Sequence, residues 1–246
     1  MPITTVGTAN DILNQVAAEI GLSPQVDPYA SQDDAFIQMR YLLNTAGNEL
    51  IISYPWELMN REATINTTGN TDGVFPLPDD FYYMLDQTGW ERSQNVPMFG
   101  PLSPQDWQYL LGRDLVTSTI YASFRIKEGT FNVFPNDPPP QDLDIHYEYM
   151  SKNWVSDGAS VPTYKAEVTN GSDVPLYDKT LISRYLKVKM LSAKGFDTGD
   201  AKEDFAQIFG FLTGLDKGSE ILNAGSNFGF PYLNSWRNLP DSGFGL

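Results

Sequence analysis

F-R-I-K-E-G-T-F-N-V-F, Phe124 to Phe134, decides the fold. Apolar and polar residues alternate on both sides of Lys127-Glu128-Gly129-Thr130, and the glycine supplies the turn between them, so the stretch reads as a β-hairpin. Its first strand is expected to run Tyr121–Lys127 and its second Thr130–Phe134. Leu143–Met150 alternates as well: Ile145, Tyr147 and Tyr149 share one face, His146 and Glu148 the other. Upstream, Ala63–Thr68 and Gly73–Leu77 read as further strands, and Asp79-Asp80 as a cap or turn after Leu77-Pro78. A short helix over Pro104–Leu111 interrupts the strands, capped by Ser103, started by Pro104, with Trp107, Leu110 and Leu111 facing inward. Asn136 to Gln141, which holds three consecutive prolines, is expected to be a stiff exposed loop.

Outward from this strand region the periodicity changes. Before it, a helix is expected from Asn10 to Ile20, capped by Asn10, with Ile12, Leu13, Val16, Ala17 and Ile20 at helical spacing. A second runs from Gln32 to Ser53 behind a Ser31 cap, with Phe36, Met39, Leu43, Ala46, Leu50 and Ile51 on one stripe, and ends at Tyr54-Pro55-Trp56. After the strands, Ser156 to Ser172 is polar and reads as an irregular connection. Two more helices follow. Asp178–Lys194 carries Leu181, Tyr185, Val188 and Leu191, and Asp200–Leu215 carries the stripe Ala201, Phe205, Ile208, Phe209, Leu212. Neither pair has enough apolar surface to stand alone. The economical arrangement is α+β: a four-helix bundle built from the N- and C-terminal helix pairs, with an antiparallel β domain inserted between them. The expected division is residues 1–60 for the first pair, 61–155 for the β domain, 156–222 for the second pair and 223–246 for an extended arm.

That arm is Asn223 to Leu246. Phe228, Phe230, Tyr232, Leu233, Trp236, Leu239 and Phe244 are spaced by glycines and prolines that break helices and strands, and only Arg237 and Asp241 are charged. A solvated tail is polar and poor in aromatics. This one asks for a covering surface, either its own domain or a partner. Phe228, Phe230, Tyr232 and Trp236 are the anchors expected to fill apolar pockets, and Arg237 is expected to meet an acid.

The 246 residues carry 31 acidic and 16 basic side chains, a net charge of −15, which repels phosphate backbones and anionic lipid and argues against gripping DNA. The chain has no cysteine, so thiol catalysis, thiolate metal sites and disulfides are excluded. Its apolar runs are too short for a membrane span, and Met1 to Gly21 lacks the pattern of a signal peptide. The one histidine, His146, reads as paired with Glu148 on the solvent side of its strand. Asp197-Thr198-Gly199 spells the tripeptide of aspartic proteases but has no second copy and reads as the turn between two helices. No phosphate loop, nucleophile elbow or calcium-loop pattern is present, so no enzyme activity, cofactor or metal is expected.

Three motifs together resemble a known family. V-F-P-L-P-D-D-F-Y-Y-M-L (Val74 to Leu85), the hairpin Phe124 to Pro140 with the strand Leu143 to Tyr149, and the helix Leu42 to Trp56 closing on Tyr-Pro-Trp are similar, in that kind of order, to the head-to-tail adaptor proteins of short-tailed phages, also called tail tubular protein A. The resemblance runs from about Ala9 to Leu222. It implies a structural virion protein at the portal vertex of the tail, assembled in the host cytoplasm. It also implies a twelve-fold ring between the portal protein and the tail nozzle protein, with double-stranded DNA passing through the lumen unbound. Two other classes are weighed beside it. A receptor- or carbohydrate-binding module would show exposed tryptophans on one strand face, and a cell-wall enzyme would draw on acids such as Asp79, Asp80 and Glu148.

Overall fold

The computed structural model describes residues 6–93, 95–112, 123–136 and 139–216. The fold is α+β, with five α-helices and antiparallel sheets among the described residues. Contacts divide the chain after Asp216, and the stretch from Lys217 onward lies outside the described residues.

Helix α1 spans Ala9–Glu19 and α2 spans Asp34–Ser53. Both begin differently from expectation. Thr8, not Asn10, caps α1: its hydroxyl accepts from Asp11 N at 3.2 Å while the Asp11 carboxylate accepts from Thr8 N at 3.0 Å, a reciprocal capping box. Asn10 sits inside the first turn and accepts from Tyr29 N at 3.1 Å, pinning the following loop. For α2 the cap is Asp33, which accepts from Ala35 N at 2.9 Å, and Ser31 bonds Asp33 N instead. In both cases the residue whose side chain reaches the free N–H groups of the first turn takes the role. Helix α4, Lys179–Lys194, starts at Asp178 and stops at Gly195, which takes a left-handed φ of 74°. Helix α5 is Gly199–Asp216.

Helix α4 is the hub, touching α1, α2 and α5. Ile12, Leu13 and Val16 of α1, Phe36, Met39 and Leu43 of α2, and Leu181, Ile182 and Leu186 of α4 close one core from which water is excluded. Charge follows the same plan. The sequence of α4 holds five basic residues and no acid. Arg184 and Lys187 meet Glu19 of α1 at 3.1 and 3.0 Å, Lys189 meets Glu49 of α2 at 2.5 Å, and Arg184 lies 3.6 Å from Asp204 of α5. Partly exposed pairs of this kind each contribute about 0.2–1 kcal/mol, so they orient the helices more than they stabilise them.

A 3-10 turn, Glu57–Met59, leads into the strands. Strand β1 (Asn60–Asn66) pairs antiparallel with β8 (Asp144–Ser151) along its whole length, Thr64 opposite His146 and Ile65 opposite Ile145. The other edge of β8 is shared by β3 (Phe81–Met84) and β4 (Trp90–Glu91), and β4 continues to β5 (Val96–Pro97). Against this sheet lies a second one, ordered β2 (Val74–Pro76), β7 (Thr130–Phe134), β6 (Ser123–Lys127). The expected hairpin is β6–β7, and Tyr121 and Ala122 of its first strand lie outside the described residues. Phe131 is stacked between Phe124 at 4.7 Å and Tyr147 at 5.0 Å, and Ala63, Ile65, Val133 and Ile145 fill the rest of this second core. Helix α3, Pro104–Leu111, buries Trp107 as expected, but Leu111, the last residue of this eight-residue helix, faces solvent at 43% exposure. The proline loop is less exposed than expected: Pro139 is buried and Pro140 half-buried.

One ring joins the strands to the helices. Trp154, just past β8, is fully buried and donates Nε1–H to Asn48 Oδ1 at 2.9 Å. Its ring lies on bare backbone at Gly47 in the middle of α2, where a Cβ would come within 2.2 Å of it. A glycine inside a helix costs about 1 kcal/mol relative to alanine, and the buried indole offsets that cost. Tyr177 closes the seat by donating to Gly47 O at 3.0 Å.

The polar connection contains structure that was not expected. Strands β9 (Val155–Ser156), β10 (Tyr164–Lys165) and β11 (Val174–Pro175) form a small sheet. Between them the buried Asp173 accepts from Thr169 N, Asn170 N and Lys165 Nζ at 2.7–2.9 Å. The carbonyls of Gly171 and Asp173 accept from Asn10 N and Ala9 N at 3.0 and 2.8 Å, satisfying the start of α1. Asn44 of α2 brackets Val168, bonding both its N–H and its carbonyl.

Candidate docking surfaces

The groups with chemical potential come first. Cross-strand register brings Glu62 of β1 to His146 of β8, where Glu62 Oε1 is 2.6 Å from Nδ1. Asp144 Oδ2 is 3.0 Å from Nε2, and Thr64 Oγ1 lies 3.3 Å from Nδ1. Arg92 reaches the same Glu62 oxygen at 2.5 Å. Glu148 is not the partner of His146; it accepts from Asn60 Nδ2 at 2.7 Å, because it points along β8 away from the ring. A general base needs a nitrogen free to receive a proton, and both ring nitrogens here face carboxylate oxygens.

Asp80 follows Pro78 in a turn closed by Phe81 N to Pro78 O at 2.9 Å. Its carboxylate accepts from Tyr149 Oη at 2.8 Å and Ser151 Oγ at 2.6 Å, clasping β3 to the end of β8. Burial and the Asp80 carboxylate together push the Tyr149 hydroxyl above the usual phenol range. The Tyr147 hydroxyl is buried with no hydrogen-bond partner among the described residues, and burial pushes it up to about 12. Asp197 Oδ1 accepts from Gly199 N at 3.0 Å, which is the expected turn between α4 and α5. Among the described residues, no three His, Asp or Glu side chains are grouped to hold a metal ion, and no helix is long and apolar enough to cross a membrane. Of the tryptophans described, Trp56, Trp107 and Trp154 are buried and Trp90 is half-buried.

The more informative surface is α5. Its expected stripe does face the body: Phe205 stacks on Tyr185 at 4.5 Å, and Phe209 meets the edge of Trp56 at 5.9 Å. The far end is tied by Tyr54 Oη to Thr213 O at 3.3 Å and Glu57 N to Asp216 Oδ2 at 3.0 Å. Yet Ala201 is the one residue of α5 that is buried; Phe205, Ile208, Phe209 and Leu212 are half-covered. Phe211, 67% exposed, stands outside the stripe, and Leu215, 46% exposed, continues it past what the body covers. Phe196 in the preceding turn and Tyr41 and Ile52 on the outer face of α2 are also exposed. Composition could have flagged α5, since a helix carrying three phenylalanines and two leucines holds more apolar surface than one stripe conceals.

Phe228, Phe230, Tyr232, Trp236 and Arg237, the expected docking residues, lie outside the described residues. No protein-family model matches the chain, and no curated protein matches it.

Proposed function

We propose that this chain is a structural virion protein, the head-to-tail adaptor of a short-tailed phage, acting as one subunit of a ring between the portal protein and the tail nozzle. In this reading α1, α2, α4 and α5 form one four-helix bundle and residues 61–155 an inserted β domain. The arm 223–246 docks on the portal through Phe228, Phe230, Tyr232 and Trp236, with Arg237 meeting an acid. DNA passes through the lumen without being gripped. The reading needs no enzyme activity, cofactor or metal.

The observation that carries it is apolar surface in excess of what one subunit covers. Helix α5 keeps Phe211 and Leu215 exposed, and the sequence that follows it continues with aromatic residues among glycines. A ring engages such surface many times over, so that weak single contacts act together. The net charge of −15 supports a conduit that does not adhere to nucleic acid. The test is deletion of Gly225 to Leu246. The truncated chain is expected to keep its far-UV circular dichroism and melting transition and to lose portal binding in a pull-down or by native mass measurement. Normal portal binding by the folded truncation overturns the reading.

A further inference from the structure

Sheet edges expose unpaired N–H and C=O groups, and folded proteins blunt them. Three edges here are blunted. Strand β5 is two residues long and ends in Pro97, β2 ends in Pro76, and the outer side of β6 is occupied where Phe124 N bonds Phe99 O and Leu102 N bonds Phe124 O, each at 3.0 Å. The outer edge of β1 is different. Its seven residues contain no proline, and its register with β8 runs from Asn60 to Asn66 without a bulge.

The ladder phase shows which groups are free. Thr67 N donates to Leu143 O at 3.1 Å, so Ile65, Ala63 and Arg61 also turn their backbone toward β8. Glu62, Thr64 and Asn66 turn theirs outward, and all three residues are exposed. Asn60 is already used, its N–H by Glu57 O and its carbonyl by Arg61. Charge would ordinarily guard such an edge, but both charged side chains of β1 are held elsewhere. Glu62 is tied to Arg92 and His146 on the sheet face, and Arg61 lies over the Tyr164 ring at 5.2 Å.

We propose that this edge pairs with the same edge of a second copy, antiparallel across a two-fold axis at Thr64. In that register Glu62 lies opposite Asn66 of the other copy, Thr64 opposite Thr64, and Asn66 opposite Glu62. Every outward backbone group finds a partner, about six hydrogen bonds in all, and no like charges oppose. The neighbouring register, centred on Glu62, sets two carboxylates face to face. An antiparallel pair also keeps the helical bodies apart, because Asn60 follows directly on Met59 of the helical core while Asn66 lies at the other end of the strand. The pairing goes beyond the adaptor reading: a two-fold contact closes on itself and needs neither portal nor ring.

The absence of cysteine makes the register directly testable in the full-length chain. Under mild oxidation, Thr64→Cys is expected to form a disulfide dimer at least roughly tenfold faster than Glu62→Cys alone, since opposed residues in such a pair lie about 5.5 Å apart. Glu62→Cys mixed with Asn66→Cys should cross-link as fast as Thr64→Cys. Sedimentation equilibrium of the unmodified chain should show a monomer–dimer equilibrium that strengthens with salt, as screening relieves repulsion between two acidic copies. Thr64→Pro removes the outward N–H, together with the exposed Oγ1 contact to His146, and should weaken the dimer roughly tenfold or more with its melting transition retained. Equal cross-linking rates at positions 62 and 64, or a chain that stays monomeric up to millimolar concentration, overturns the proposal.

Discussion

Helices α1 and α5 both lie on α4 with an apolar stripe toward it, and they end up in different physical states. Helix α1, eleven residues long, buries Ala9, Ile12, Leu13, Val16 and Ala17; α5, eighteen residues long, buries Ala201. The stripes are not the cause, for that of α5 is the richer in aromatics. The cause is neighbours. Helix α1 is held by α2 and α4, and the loop through Gly171 and Asp173 receives its first N–H groups. Helix α5 rests on α4 and the Trp56 edge. An amphipathic pattern therefore sets which face turns inward, while coverage depends on how many elements arrive to meet it.

The contrast can be broken from the α1 side with the largest effect. Leu13→Ala removes a fully buried side chain and should destabilise the fold by about 2–5 kcal/mol, read by urea denaturation. A cost below that of any α5 substitution would mean that the two helices do not differ as described.

Asp173→Asn addresses the loop that receives α1. The lost carboxylate leaves Lys165 and two backbone N–H groups poorly matched, at a cost of about 2 kcal/mol. The same group gives a pH dependence. Burial opposes ionisation of Asp173, but Lys165 and the N–H groups of Thr169 and Asn170 outweigh it and hold its carboxyl below the usual carboxylate range. A lowered value means that the contribution is complete above the unfolded value, about 3.9, and is lost as pH falls through the folded one. Denaturation midpoints measured from pH 5 downward should therefore fall more steeply in the natural chain than in Asp173→Asn.

On the α5 side the effects shrink. Phe209→Ala takes away a half-covered ring and should cost about 1–2 kcal/mol, and amide exchange should quicken in α5 while α1 stays protected. Phe211→Ser is smaller still. It should leave stability within about 0.5 kcal/mol, because the ring touches mostly water, so any loss of binding to the proposed portal partner in that variant reports on docking alone.

How much was legible follows from the same physics. The helices and the hairpin β6–β7 could be read because their signals are local: a stripe at helical spacing, and a turn glycine between two alternating runs. Phe81–Met84, Trp90–Glu91 and Val96–Pro97 are too short to carry a pattern; the first two become strands because β8 is there to pair with, and the third because β4 is. The partner of His146 was misread because Glu62 reaches it across the sheet, whereas Glu148 is near only in sequence. The caps of α1 and α2 were displaced by two residues, a shift settled by which side chain reaches a free N–H. The seat of Trp154 on Gly47 joins positions far apart in the chain, and a glycine inside a helical stripe gave no hint of the ring above it.

That seat has a mechanical consequence. Tension applied to the strands along β8 must enter the helices near Trp154, where a flat indole is wedged against backbone with no intervening side chain. Such a joint transmits load through steric bulk, and its stiffness is set by shape more than by the single bond to Asn48. A methyl group at position 47 would lift the wedge and turn a rigid coupling into a slack one, so that two halves which now move together would flex separately.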